Sequence, residues 1–203
     1  MAPQSRSGIP AKKRALDEAL SEVRKHPEHL VLLYQDECMF YRQPSTGWLW
    51  SWMGRMQPKM PYASKNNTRM RVVGYLNATT GAVHSEEMRA VTSKNLAKSV
   101  SKISHWHPDA KTIYLAWDNW PNHKSRAVVE ALVKQPRIKL LPLPTYSPWL
   151  NPIEKVWRWV RQRVTHAHPW CDHFQEFRAH ARDELPPLAF GTTEILRYVG
   201  LLQ

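Results

Sequence analysis

The stretch LPTYSPWLNPIEKVW, Leu143–Trp157, joins a proline-rich loop to the start of an amphipathic helix. The pattern predicts a helix from Pro152 to about His166. One stripe of this helix is apolar: Ile153, Val156, Trp157, Val160 and Val164. Such a stripe is typical of a helix that packs against a core. Glu154 lies beside the stripe at the helix start, together with Arg158 and Arg161, which would face a phosphate if one lay there.

The same residues also fit an ordinary capping box. Asn151 would be the N-cap, Pro152 the first helical residue and Glu154 the third. In this interpretation Glu154 only stabilises the helix start. The capping-box interpretation does not explain why the loop before the helix is stiff and aromatic. The spacing of the residues alone does not decide between the two interpretations.

Outward from this helix, the chain alternates short apolar runs with helical patterns. Strands are predicted at Leu30–Gln35, Arg69–Ala78, Ala82–Met88, Thr112–Trp117 and Ile138–Leu143. Thr79-Thr80-Gly81 predicts a hairpin turn. Helices are predicted from Thr92 or Ser93 to His107, and from Asp118 to about Lys134. The order indicates an α/β fold with a mixed sheet, in which antiparallel strands come first and helical crossovers add the rest.

The length of 203 residues indicates one domain with tails. Residues 1–29 are predicted to form a basic N-terminal tail with a linker helix from Pro10 to His26. Residues 30–170 are predicted to form the main domain, and residues 171–203 a C-terminal helical tail.

Several classes of protein are excluded by composition. A membrane-spanning protein is not expected, because apolar runs stay far below the ~20 residues that a bilayer requires. Met1–Arg14 contains basic residues without the apolar core of a secretory signal. Two distant cysteines, Cys38 and Cys171, cannot form a disulfide framework, and a reducing cytoplasm is expected.

A surplus of positive charge indicates a polyanionic partner. Lys and Arg number 29 and Asp and Glu 17, a formal net charge of +12, and no acidic residue occurs between Glu37 and Glu86. This acid-free stretch holds the cations Arg42, Arg55, Lys59, Lys65, Arg69 and Arg71 and the aromatic residues Tyr41, Trp48, Trp50, Trp52 and Tyr62. Cations beside flat rings favour phosphates and unstacked bases. A solvated basic face over a tryptophan-rich hairpin, with Trp48–Trp52 as a short strand or turn, would show the same pattern.

Three acidic residues lie where strands or loops end. Asp36 follows the first predicted strand, Asp118 follows the fourth, and Glu154 opens the last helix of the main domain. If the first and fourth strands are neighbours, Asp36 and Asp118 project from the same end of the sheet. Three carboxylates of this kind suit Mg²⁺ or Mn²⁺. Each also has a structural interpretation, in which Asp36 binds backbone, Asp118-Asn119 forms a turn and Glu154 is a cap.

A second cluster has the side-chain types of a zinc site. It consists of His166, His168, Cys171 and His173. Its spacing matches no standard zinc finger and Pro169-Trp170 interrupts it, so a solvated, histidine-rich helix end is the favoured interpretation.

Three motifs resemble those of DDE-superfamily transposases, and most closely the bacterial insertion-sequence group related to mariner elements. Leu143–Trp157 resembles the motif around the third acid of that family, Asp118–Ser125 (DNWPNHKS) the second, and Gln35-Asp36-Glu37 the first. The 35 residues between Asp118 and Glu154 agree with the narrow spacing of the group.

This resemblance implies an RNase H-like fold and two Mg²⁺ or Mn²⁺ ions held by Asp36, Asp118 and Glu154. It also implies DNA strand cleavage by water, followed by attack of the freed 3′-hydroxyl on target DNA. DNA contacts are expected from Arg55, Lys59, Lys65, Arg69, His123, Lys124, Arg158 and Arg161. The alternatives are a non-catalytic DNA-binding remnant and an RNase H-like nuclease without strand transfer.

Members of the group usually read the ends of their element with an N-terminal helix-turn-helix region. Only 29 residues precede the first predicted strand, so this reading region is expected to be absent or to lie on a separate helix-turn-helix subunit. A homodimer on DNA is expected because two element ends must be held together. The expected location is the bacterial cytoplasm, in association with the nucleoid.

Overall fold

The computed structural model describes residues 8–46, 50–57, 59–62, 68–145 and 147–202. The strands in these ranges are β1 (Leu30–Tyr41), β2 (Arg69–Asn77), β3 (Val83–Met88), β4 (Thr112–Trp117) and β5 (Ile138–Pro142). The α-helices are α1 (Gly8–Lys25), α2 (Ser93–Val100), α3 (Ile103–Trp106), α4 (Arg126–Val133), α5 (Ile153–Thr165), α6 (Phe174–Asp183) and α7 (Thr193–Val199). None of these helices is long and apolar enough to cross a bilayer.

The strands form one mixed sheet with the order β3-β2-β1-β4-β5. The pairs β1–β2 and β2–β3 are antiparallel, whereas β1–β4 and β4–β5 are parallel. The predicted α/β architecture, with antiparallel strands first and parallel additions later, is therefore confirmed. The first and fourth strands are neighbours, which is the condition for bringing Asp36 and Asp118 together.

Each face of the sheet buries its own core, because side chains alternate along the strands. One face packs against α1, α5, α6 and α7, and includes Leu32, Tyr34 and Cys38 of β1. The other face packs against α2, α3 and α4, and includes Val31 and Leu33. Even-numbered residues of β1 therefore face α5, and odd-numbered residues face α2 to α4.

β1 is longer than predicted. The prediction ended it at Gln35, but the strand continues to Tyr41. Its parallel pairing with β4 stops at Tyr34, while its antiparallel pairing with β2 continues to Tyr41. Asp36 therefore lies within the strand, at the point where β1 loses one of its two neighbours.

The predicted turns and helix ends agree with the structure in part. The turn after Asn77 is a hairpin, and the Asn77 Oδ1 accepts hydrogen bonds from the backbone of Thr79 and Thr80. Thr92 caps α2 through a hydrogen bond from the Asn95 amide. The single helix predicted as far as His107 is divided into α2 and α3 by a turn at residues 101–102. Of the segment Trp48–Trp52, residues 48–49 lie outside the described ranges, and Trp50 and Trp52 belong to no helix or strand.

A glycine in β2 allows α5 to lie close to the sheet. A Cβ atom added at Gly74 would lie 2.4 Å from the Trp157 ring and 3.3 Å from the Ile153 side chain. Trp157 is fully buried at this contact. Gly74 is the register partner of Asp36 on β1, so the same contact holds the start of α5 against the strand that carries Asp36.

Both terminal segments pack on the face that α5 covers. Leu16 and Val23 of α1 are buried there. On α6, Arg178 and Arg182 both donate to the carboxylate of Glu87 on β3, at 2.5 and 2.6 Å. The domain boundaries at residues 29/30 and 170/171 stay predictions.

The close approach at Gly74 predicts that Gly74→Ala lowers the free energy of unfolding by about 2 kcal/mol or more, because the added methyl group overpacks the Trp157 ring. Urea unfolding measures the change. The matched control is Ser85→Ala on β3, because Ser85 is the register partner of Gly74 and is half-exposed. A stability loss of less than ~0.5 kcal/mol for Gly74→Ala would contradict this packing.

Candidate active site

The parallel register of β1 and β4 brings two aspartates to one edge of the sheet. The last register pair is Tyr34 with Ala116. Asp36 and Asp118 each come two residues later, on the face that α5 covers. Parallel neighbours in register project such residues side by side. The two carboxylates line the same cavity.

Glu154 reaches this cavity because the start of α5 is attached to β1. The side-chain amide of Asn151 donates a hydrogen bond of 3.2 Å to the backbone oxygen of Gln35, next to Asp36. Asn151 is buried, at 5% exposure. This buried contact fixes the distance between the first turn of α5 and the strand that carries Asp36.

The predicted capping box is wrong. α5 begins at Ile153, with Pro152 at the N-cap position, and the Asn151 side chain points to β1. The backbone oxygen of Asn151, and not its side chain, accepts from the Glu154 amide at 3.1 Å. Asn151 is thus used as a link between two elements. The sequence pattern of a capping box could not distinguish this use from a cap.

The cavity has a volume of about 570 Å³. Its acidic side chains are Asp36, Asp118 and Glu154, and Lys124 is a cation on its wall. The remaining wall comes from the turn after Asp118 and the proline-rich loop, and includes Trp120, Pro121, Leu143, Pro144 and Pro148. Three carboxylates beside a lysine can hold a cation and a phosphate together in one cavity.

The carboxylates repel one another in this setting. Burial raises the pKa of Asp36 to about 8, and the negative charges of Glu154, Glu37 and Asp118 act in the same direction. A divalent cation between these oxygens would relieve both effects. Among the described residues, no three His, Cys, Asp or Glu side chains are arranged so that they could hold a metal ion. The three carboxylates line one cavity, but they do not form a complete set of metal ligands.

The buried side chain of His123 contacts Asp118. The His123 Nδ1 lies 3.1 Å from the Asp118 Oδ1, and the Trp120 amide donates to the same oxygen at 2.9 Å. The Nε2 of this ring lies 3.4 Å from the Glu37 Oε1. The ring stacks on Trp117, with 4.3 Å between centroids. One oxygen of Asp118 is thereby engaged by the protein and its orientation is set.

Charge stabilises this arrangement. Burial alone would lower the pKa of His123, but the hydrogen bond to Asp118 and the negative charge of Glu37 outweigh burial and raise its pKa to about 9. The hydrogen bond from His123 is the main cause of the lowered pKa of Asp118. At neutral pH the pair is therefore an imidazolium and a carboxylate. The sequence singled out His123 as a DNA contact, whereas the structure places the ring inside, at 4% exposure.

The other predicted DNA contacts lie in three places. Lys124 lines the acidic cavity. Arg158 and Arg161 line a second cavity, of about 690 Å³, which also includes Glu154. Arg55 and Lys59 are exposed on the segment between β1 and β2, and Arg69, at the start of β2, donates to the Tyr41 hydroxyl at 3.2 Å. The prediction at Lys65 lies outside the described residues.

The histidine-rich segment has other contacts. The His168 ring packs on Phe177, at 4.8 Å between centroids, and the His173 Nδ1 lies 3.8 Å from the Glu176 carboxylate. The Cys171 thiol is buried and lies 3.8 Å from Asp172. These side chains serve packing and local pairing.

Two residues of the site do not follow from the sequence patterns. Glu37 belongs to the first motif without a role of its own there, yet it supports His123, and Asn151 fits the pattern of a cap. The alternation of β1 offers the signal for Glu37, because it must face away from Asp36 and toward the helices after Asp118.

The sheet order, the helices on both faces and the acidic cavity at its edge define an RNase H-like catalytic domain. The chain belongs to the DDE superfamily endonuclease family, which matches residues 31–175. The predicted resemblance to transposases of the insertion-sequence and mariner group is therefore confirmed.

Individual relatives agree with this family. The chain is 29% identical over 173 residues to an insertion element IS630 uncharacterized 39 kDa protein of Shigella sonnei. The match covers 85% of this chain and 48% of that protein, so the chain spans about half the length of this relative.

Solved structures show the same fold. The Mos1 mariner paired end complex with Mn has a TM-score of 0.66 at 16% identity, covering 99% of this chain and 61% of that chain. The catalytic domain of Mos1 mariner transposase has a TM-score of 0.53 at 14% identity, covering 100% of this chain and 92% of that chain. The RNase H-like fold predicted from the motifs is confirmed.

The link from Asn151 to Gln35 predicts that Asn151→Ala and Asn151→Asp both destabilise the protein, by ~1–3 kcal/mol. Aspartate is a good N-cap, but it lacks the amide donor and would place a carboxylate against a carbonyl oxygen. Urea unfolding measures both variants. The control is Thr92, a true cap in this structure, where Thr92→Asp should retain stability and Thr92→Ala should lower it by ~1 kcal/mol. If Asn151→Asp retains parental stability, Asn151 is a cap after all.

The raised pKa of Asp36 predicts a pH dependence in metal-free protein. Between its ordinary value near 4 and its folded value of about 8, the native state binds a proton that the unfolded chain has lost. Stability should therefore fall as pH rises through this window. Above pH 6.5 the raised pKa of His123 adds a fall of its own, which continues to about pH 9. Asp36→Asn should remove the part of the fall below pH 6.5 and should melt at a higher temperature than the parent at pH 8.5 in EDTA. A lower melting temperature for the variant at that pH would show that burial and neighbouring negative charges do not destabilise the Asp36 carboxylate.

Proposed function

We propose that this chain is the catalytic domain of a bacterial insertion-sequence transposase. In this proposal it cleaves a DNA phosphodiester bond with water. The freed 3′-hydroxyl then attacks a phosphodiester bond of target DNA, which breaks as the new bond forms and releases a 3′-hydroxyl on the target strand. The observation that carries the proposal is the single cavity lined by Asp36, Asp118 and Glu154 at the edge of an RNase H-like sheet. Membership of the DDE superfamily endonuclease family supports the same class of reaction.

Two divalent cations, Mg²⁺ or Mn²⁺, are the proposed cofactors. The donor set fits them, because it consists of carboxylate oxygens, and because burial and mutual repulsion leave Asp36 in need of a positive charge. Asp36 and Asp118 would hold one ion, and Asp118 and Glu154 the other. When bound, such a pair activates the attacking oxygen and stabilises the leaving oxygen at phosphorus. Similar structures include Mos1 paired end complexes with Mn and with Mg.

Other side chains of the site would act on orientation and charge. His123 holds one oxygen of Asp118 and leaves the second oxygen for the cavity. Lys124, on the cavity wall, can pair with a phosphate oxygen of the DNA. The prolines of the loop before α5 stiffen the opposite wall, which keeps the position of the scissile bond defined relative to the acids.

DNA is the proposed partner, as element ends and as target. The net charge of +12 supports DNA binding through phosphates, and similar structures include a Mos1 transposase paired-end complex with a left transposon end. We propose a homodimer on DNA, because strand transfer must hold two ends together. A helix-turn-helix subunit would read the ends, and the assembly would act at the bacterial nucleoid.

The proposal predicts that Glu154→Gln lowers Mn²⁺-dependent nicking of plasmid DNA at least ~100-fold, because the removed charge belongs to the metal site. Conversion of supercoiled to open-circular plasmid measures the rate. Mn²⁺ should also raise the melting temperature of the parent but not of Asp118→Asn, which is a readout independent of turnover.

The matched control is Glu176→Gln on α6, which removes one exposed glutamate charge outside the cavity and should nick like the parent. If Glu154→Gln nicks at the parental rate, the three-carboxylate site is wrong. If the parent fails to nick when element ends and the reading subunit are supplied, a non-catalytic DNA-binding remnant replaces this proposal. Nicking without strand transfer would instead favour a plain nuclease.

A further inference from the structure

A second cavity lies next to the acidic one. Glu154 lines both. Beyond it, the second cavity has Arg158, Arg161 and Gln162 of α5 on one wall and Ser45 and Thr46 on the other. The cavity is therefore a groove that leads away from the carboxylates between a basic helix face and the chain that follows β1.

This groove has a fixed base. The Ser45 amide donates to the Thr165 backbone oxygen at 2.7 Å, and the Ala167 amide donates to the Ser45 oxygen at 3.3 Å. The hydroxyl oxygens of Ser45 and Thr165 lie 3.1 Å apart. These contacts attach the chain after β1 to the end of α5, so Ser45 and Thr46 are held beside Thr165 in the groove. Trp50 follows Thr46 by four residues and therefore lies within ~14 Å of it, at ~3.5 Å per residue.

Residues 50–57 and 59–62 expose unusually large apolar side chains. We call these residues the aromatic segment. Trp50 is fully exposed, and Trp52 and Tyr62 are 84% and 82% exposed. Met53 and Met56 are exposed beside them. Exposed apolar side chains in such density mark a surface that is covered when a partner binds.

Charge decides which partner fits this surface. The aromatic segment carries Arg55 and Lys59 and belongs to a stretch, from Cys38 to Ser85, without any Asp or Glu. A second copy of the chain would bring the same cations and a net charge of +12, which opposes pairing through this segment. An unpaired nucleic-acid strand offers negative phosphates together with flat base faces, which a duplex keeps stacked inside.

We propose that the groove along α5 and the aromatic segment bind an unpaired DNA strand that runs from the carboxylate cavity. Arg158 and Arg161 contact its phosphates, and Trp50, Trp52 and Tyr62 stack on its bases. The inference rests on the proposed function, because it takes the strand to be the one cut at the carboxylates. It adds that the preferred substrate is unpaired on one side of the scissile bond.

The test measures binding of the full chain in EDTA, where cleavage plays no part. The probes are three fluorescein-labelled DNAs: a 12-nucleotide oligothymidine, a 12-nucleotide abasic strand and a blunt 12-base-pair duplex. Fluorescence anisotropy should show the oligothymidine bound at least ~10-fold more tightly than the abasic strand, because base–aromatic stacking contributes most of the difference. The blunt duplex should also bind more weakly than the oligothymidine.

Two sets of variants separate bases from phosphates. Trp50→Ala with Trp52→Ala should weaken oligothymidine binding at least ~10-fold and leave binding of the abasic strand nearly unchanged. Arg158→Ala should weaken binding of the oligothymidine and of the abasic strand to the same extent. The slope of log affinity against log salt should become shallower by about 0.7 for each phosphate that the variant no longer neutralises. The control is Phe190→Ala, another exposed aromatic residue. The adjacent Gly191 contacts the β2–β3 turn, at the opposite end of β2 from the aromatic segment.

Parental binding of oligothymidine by the double tryptophan variant would overturn the proposal, as would equal affinity for the abasic strand and oligothymidine. A variant that keeps its affinity but changes oligomeric state in sedimentation would also overturn it, because a second copy would then cover the segment. Melting temperatures check that each variant is folded. The two proposals can fail separately. A negative result in the binding test does not change the nicking result for Glu154→Gln. Parental nicking by Glu154→Gln does not change the binding result.

Discussion

The contact between Trp157 and Gly74 is the constraint on which the site depends. The indole occupies the space that a side chain on β2 would fill, so α5 lies directly on the sheet. Gly74 is the partner of Asp36 in the ladder, and Glu154 lies one turn before Trp157. A helix held at any greater height would carry Glu154 away from the aspartates.

The site is built from both faces of the sheet. Asp36 faces α5, whereas Glu37, the next residue, faces the opposite layer and supports His123 there. His123 in turn orients Asp118 at the sheet edge. The buried imidazolium of His123 therefore lies between the carboxylates of Glu37 and Asp118, next to the acidic cavity.

The sequence predicted the elements of this fold better than their contacts. Alternating apolar runs and the Thr79-Thr80-Gly81 turn identify the strands, since these signals are local. Asn151 shows the limit: its place before a helix and its residue type fit a cap, and only the tertiary structure shows that it binds the Gln35 backbone instead. The buried position of His123 also could not be predicted from the residues next to it in sequence, because it depends on contacts with Trp117 and Glu37 from two separate strands.

We propose that Asp36, Asp118 and Glu154 together form one metal site. Anomalous X-ray diffraction from crystals of this protein grown with Mn²⁺ tests it most directly. We expect anomalous peaks within the cavity, with manganese ligated by all three carboxylates and the Asp118 Oδ1 still facing His123. Manganese bound elsewhere, for example at His166 and His168, with the cavity lacking anomalous density, would contradict it.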